Sequence, residues 1–195
     1  IEHGQPEAVD VCHLFYPIRR RDTHTHMVGL TSVYQHYRAR IGYLLTPPQI
    51  TELYRLRGGQ TIADLNSERL SALELGLRNE GLAIALFAEN TRNYLFRDSE
   101  AYNVSDGRTR SRGLEISFSR VIGKHNLSLA TTYAQHKYAF DRAADGRETI
   151  SSGNAMDSAP KWFGQAAWST QISPTLRHEM ELSAVGPYYL NAANT

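Results

Sequence analysis

The feature that most constrains this chain is a two-residue rhythm of apolar and polar side chains, repeated in pairs around short turns. Leu73, Leu75 and Leu77 alternate with Glu74, Gly76 and Arg78. After Asn79-Glu80-Gly81, Leu82, Ile84 and Leu86 alternate with Ala83, Ala85 and Phe87. Successive side chains of an extended strand point to opposite faces, so the pattern predicts a hairpin with one apolar face. A helix competes over residues 70–92, because Ser67 is a capping residue and Leu70, Leu73 and Leu77 fit helical spacing. On a helix, though, Leu73 and Leu75 would stand ~200° apart, and Gly76 and Gly81 would each cost about 1 kcal/mol. The pattern favours strands.

The rhythm recurs twice. Leu114, Ile116 and Phe118 alternate with Glu115, Ser117 and Ser119 before a turn at 121–125, and Leu127, Leu129, Thr131 and Tyr133 follow it. Trp162, Gly164, Ala166 and Trp168 precede a turn at 172–175, and Leu176, His178, Met180, Leu182 and Ala184 follow it. Val28 to Tyr34 and Arg38 to Leu45 read as a further pair, although the turn at Gln35-His36 lacks the Gly or Asp expected there. Pro47-Pro48 ends any ladder. Residues 46–69, 97–110 and 139–160 read as long polar connections, so short and long connections alternate along the chain. Residues 1–26 give little signal.

Two architectures carry this pattern. A soluble antiparallel sheet alternates in the same way. So does an outer-membrane barrel, with short turns on one side of the bilayer and long loops on the other. The mean hydropathy is negative, and no run approaches the ~18 apolar residues of a spanning helix, which excludes a helical membrane protein but not a barrel. Three features favour the barrel. The alternating runs reach about ten residues, enough to cross the hydrocarbon at a tilt, whereas sandwich strands are nearer ~6. Tyr94, Phe96, Tyr138, Phe140, Trp162, Tyr188 and Tyr189 stand near strand ends, as interfacial girdles do. The polar face carries Glu74, Arg78, Glu115, Arg177, Glu179 and Glu181, and the apolar face almost no charge, with His178 close to a turn as the exception.

From residue 46 onward several segments resemble TonB-dependent receptors of the siderophore-receptor type. Pro48-Gln49-Ile50-Thr51-Glu52-Leu53-Tyr54-Arg55 resembles their proline-then-"ELYR" loop. Leu65 to Glu68 with Leu73 to Arg78 is similar to "L-x-x-E … E-x-G-x-R", and Asn103 to Glu115 to "N-x-G-x-x-R-x-x-G-x-E". Ala159-Pro160 opens a strand as in the family, and Gly186-Pro187-Tyr188-Tyr189 with Asn194-Thr195 is similar to "Y-Y-x-x-x-x-N-T". The resemblance implies an all-β fold: about eight antiparallel up-and-down strands, one section of a barrel of about 22. Residues 1–195 are then a partial barrel domain, with 1–45 matched poorly and no plug domain or TonB box. It further implies a non-enzymatic receptor in the outer membrane of a Gram-negative bacterium, importing a scarce nutrient such as a ferric siderophore. Its partners would be outer-membrane lipid, the TonB complex through the missing plug, and that ligand.

The chemistry-bearing residues are few. A formal net charge of +1 gives no basic stripe for nucleic acid. Cys12 is alone, so no internal disulfide forms, and nothing beside it would activate a thiolate. His24-Thr25-His26 offers two imidazoles without a third ligand, and a polar exposed segment is the better explanation of them. Gly58-Gly59-Gln60 lacks the Lys of a phosphate loop. No arrangement points to catalytic residues, a metal or a cofactor. Loop cations and aromatics are the remaining candidates for binding a ligand: Tyr54, Arg55, Arg57, Arg97, Arg108, Arg110, Tyr188 and Tyr189. Such groups hold anionic aromatic chelates by charge and stacking. Solvated loop residues, or contacts to anionic lipid headgroups, explain them more simply, and that reading comes first.

Overall fold

The computed structural model describes residues 26–54, 59–61 and 63–195. Cys12, His24, Thr25, Arg55 and Arg57 lie outside the described residues. Eight strands form one antiparallel sheet in which every neighbour in sequence is a neighbour in space. They are β1 (His26–Tyr34), β2 (Tyr37–Thr46), β3 (Glu68–Asn79), β4 (Leu82–Arg97), β5 (Asn103–Ile122), β6 (His125–Tyr138), β9 (Trp162–Ser173) and β10 (Leu176–Val185). A short helix α1 (Ile50–Tyr54) lies in the β2–β3 connection. A two-stranded ribbon of β7 (Arg142–Ala143) and β8 (Thr149–Ile150) lies between β6 and β9. The sheet is open, with β1 and β10 at its edges. Among the described residues no helix is long and apolar enough to cross a membrane.

Residues 70–92 are therefore a hairpin and not a helix. The register explains why the alternation matters. Leu75 pairs with Leu86, Leu86 with Leu114, Leu114 with Tyr133 and Tyr133 with Trp162. Every apolar row thus lands on one face. The rows between them, through Glu74, Ala85, Glu115, Thr132 and Gln165, land on the other. Among the described residues no protein layer covers the apolar face: Leu75, Leu86 and Leu182 are 51%, 54% and 67% exposed. A soluble sandwich would bury these side chains between two sheets.

The row that begins at Ala39 and Leu75 starts close to the turn at Gln35-His36. It ends at Trp162, far from the turn at Pro174-Thr175. Successive turns therefore step along the strand direction, so a line through the turns crosses the strands obliquely. That stagger is the shear a tilted barrel wall requires. The turns themselves are tight. Gly81 takes φ 78, which glycine adopts freely, whereas Gln35 takes φ 51 without that freedom.

Two expectations are corrected. Residues 97–110 are not a long loop: β4 runs to Arg97, β5 starts at Asn103, and Arg108 and Arg110 are strand residues. Tyr94, Phe96, Tyr138 and Phe140 do not form a girdle either. They pack on one another and on Ala144, Ile150, Met156 and Ala192 in a small core beneath the long connections. The phenylalanine rings lie 5.0 Å apart between centroids, and the tyrosine rings 6.3 Å. Register shifts at Arg92–Tyr94 and Tyr94–Phe96, with Asn93 at φ 58, accompany this packing at the end of β4.

Candidate functional site

The polar face forms a trough of about 510 Å³ lined by residues from β2 to β10, among them Arg38, Glu74, Arg78, Glu115, Gln165 and Ser183. Strands in a sheet stand ~4.8 Å apart, and side chains from seven of them border this one hollow, as they do where a sheet curls toward one face. Arg40 and Glu74 face each other across β2 and β3 at 3.8 Å. Both are partly exposed, so the pair sets polarity more than stability.

At the loop end two groups of connections are stapled separately. In the first, Asn103 is the hub. Its side-chain amide donates to the Glu52 carbonyl oxygen at 2.7 Å, and its Oδ1 accepts from Arg97 Nε at 3.3 Å. Gln60 exchanges two further bonds with its backbone. Arg97 is thereby fixed beside α1, where Thr51, Glu52, Leu95, Phe96 and Asn103 join it around a cleft of about 290 Å³. Tyr54 ends α1 and is 79% exposed. In the second group, Asn194 is the hub. The Ala155 backbone N–H donates to Asn194 Oδ1, and Asn194 Nδ2 donates to the Ala155 carbonyl, both at 2.8 Å. Tyr188 and Tyr189 belong here; the Tyr189 carbonyl accepts from the Ser158 N–H at 2.8 Å. The rings of Tyr94, Phe96, Tyr138 and Phe140 run between the strands that end in the two groups.

The structure thus brings Arg97 to the loop that carries Tyr54, and puts Tyr188 and Tyr189 with the other loop group. Neither Arg108 nor Arg110 takes part in these staples, although the groove beside Arg110 is bordered by Ser152 and Gly153 of the β8–β9 connection. Both arginines share a row of β5 with Arg112, Leu114 and Ile116, on the face opposite the trough. Nothing in the sequence marks Gln60, Asn103 or Asn194 as a hub. Asn103 and Asn194 did stand inside the family-like segments, where their role is to tie loops together. Among the described residues no group of three or more His, Cys, Asp or Glu converges as a metal would require.

The family description "TonB dependent receptor-like, beta-barrel" matches residues 18–195. The chain belongs to this family. The fold agrees with solved members of the receptor class. The siderophore receptor PiuA from Acinetobacter baumannii superposes with a TM-score of 0.61 at 16% identity, over 88% of this chain and 27% of that one. The FrpB iron transporter from Neisseria meningitidis (F3-3 variant) gives 0.51 at 13% identity, over 77% of this chain and 25% of that one. At such identities the likeness is one of fold, and the chain spans about a quarter of either receptor. None of the curated proteins is similar enough in sequence to count as a relative. The family match takes in β1 and β2, which pair continuously with the rest of the sheet.

Proposed function

We propose that this chain forms part of the wall and outer loops of an outer-membrane receptor that imports a scarce nutrient by TonB-dependent transport, with a ferric siderophore as cargo. The supporting observation is the division of one curled sheet into an exposed apolar face and a polar trough. In such a wall every second side chain meets hydrocarbon, and those between face a wet interior. Coupling to TonB would run through the receptor's plug domain. Loop recognition would use Tyr54, Arg55, Arg57 and Arg97 from one group of connections and Tyr188 and Tyr189 from the other. Guanidinium forks and phenol rings suit an anionic, aromatic iron chelate.

The test is ligand binding by the full-length receptor with a panel of ferric catecholate and ferric hydroxamate chelates. Removing residues 47–67, or replacing Arg97 by Ala, is expected to weaken the best binder by ~10-fold or more. Unchanged affinity in both variants would remove the loops from recognition.

A further inference from the structure

The apolar face changes character at one level, on four neighbouring strands. Going away from the turn, β5 presents Phe118, Ile116 and Leu114, then Arg112, Arg110 and Arg108. On β4, Leu82, Ile84, Leu86 and Ala88 give way to Asn90 and Arg92. On β6, Leu127, Leu129, Thr131 and Tyr133 give way to Gln135 and Lys137. On β3, Leu77, Leu75 and Leu73 give way to Ser71 and Arg69. The register sets the cations side by side: Arg69 opposite Arg92, Arg92 opposite Arg108, and Arg110 opposite Lys137.

Six exposed cations so placed repel one another, since like charges directly opposite destabilise a sheet. No ion pair among the described residues involves any of them. Among the described residues the Arg112 side chain is held by Gln135 Oε1 alone, at 3.0 Å from Nη2 and 3.3 Å from Nε. The next carboxylate up β5, Asp106, is taken by Arg142 at 3.0 Å. Arg110, Arg112, Gln135 and Lys137 line a groove of about 370 Å³, with Ser152 and Gly153 of the β8–β9 connection on its border. An anion from outside would relieve the repulsion, and guanidinium forks match phosphate geometry. A solute inside the trough cannot reach this face, because the sheet lies between them.

We propose that this cationic belt binds the headgroup phosphates of an outer-leaflet glycolipid whose acyl chains lie on the apolar rows below it, against Leu114, Leu86 and Tyr133. This rests on the barrel reading, because only a membrane-embedded wall puts the apolar-to-cationic boundary at headgroup level. Arg108 and Arg110 then serve the lipid contact, not the nutrient.

The experiment uses the full-length receptor in detergent, titrated with diphosphoryl lipid A and read by native mass spectrometry. The combined Arg110→Gln, Arg112→Gln and Lys137→Gln variant is expected to retain ~10-fold less lipid than the parent. An Arg38→Gln, Arg40→Gln variant on the trough face is expected to retain the parental amount. The unaltered receptor should also prefer diphosphoryl lipid A to its dephosphorylated form, a comparison that needs no variant. Equal retention by the belt variant, equal binding of the dephosphorylated lipid, or displacement by excess inorganic phosphate would each overturn the proposal. Heat-modifiable migration of the unaltered receptor reports separately on the barrel reading, and its absence would overturn both.

Discussion

Gln60 and Asn103, 43 positions apart, exchange two hydrogen bonds: Gln60 Nε2 donates to the Asn103 carbonyl oxygen at 3.1 Å, and the Asn103 N–H donates to Gln60 Oε1 at 3.0 Å. The pair closes the β2–β3 connection onto the start of β5. Each such bond contributes ~0.5–1.5 kcal/mol net. Gln60→Ala leaves the Asn103 N–H without its acceptor, so its amide exchange should accelerate by roughly 10- to 100-fold. Hydrogen–deuterium exchange of peptides covering 59–68 and 98–106 measures this. An unaltered rate at Asn103 would mean that the loop is held by something else.

Gly113 lies under the ring of Phe87 on the polar face. A Cβ there would stand 2.6 Å from Phe87 Cζ and 2.6 Å from the Tyr133 carbonyl oxygen. The ring can turn away but the carbonyl belongs to the ladder. Gly113→Ala should therefore destabilise by ~1–3 kcal/mol, and adding Phe87→Leu should recover only part of the loss. The denaturant midpoint of the refolded protein reads both. A neutral Gly113→Ala would mean that β5 can move away from the Tyr133 carbonyl without loss.

Much of this architecture was legible in the residues. Each hairpin was marked by leucines or other apolar residues two apart, and the register places those rows on one face. The upper half of β5 was not legible for a physical reason. From Arg108 to Arg112 the residues alternate arginine with Thr109 and Ser111, so period two is written in charge and not in hydropathy. A search for apolar contrast reads such a run as loop. The inward turn of Tyr94 and Phe96 depends on register shifts in β4, and bulges leave no reliable mark in a single sequence. The Gln60–Asn103 staple joins positions whose proximity only the sheet creates.

The turn at Gln35-His36 holds a non-glycine residue in the left-handed region, at φ 51. An ordinary L-residue gives up ~1–2 kcal/mol there, and glycine loses about 0.5–1 kcal/mol of extra chain entropy on folding. Gln35→Gly should thus stabilise the β1–β2 hairpin by up to ~1 kcal/mol. A small rise in thermal midpoint is the expected result. A fall would mean that the Gln35 side chain makes a contact that outweighs the backbone cost.

Ser128 and Leu129 are neighbours on β6, on opposite faces: Ser128 pairs with Ala167 and Ser119 in the polar rows, and Leu129 with Ala166 and Phe118 in the apolar ones. Leu129 is 43% exposed in the middle of the apolar band. If that band meets hydrocarbon, Leu129→Arg should cost ~2–4 kcal/mol, while Ser128→Arg, facing a wet interior, should cost little. If the sheet instead worked in water, Leu129→Arg would be harmless, because it would replace an exposed leucine with a hydrated cation. Refolding of the full-length receptor into lipid vesicles, scored by heat-modifiable migration, separates the two cases. Adjacent positions with opposite outcomes are expected. Equal yields for both variants would mean that neither face is lined by lipid, and the transport reading would fail with it.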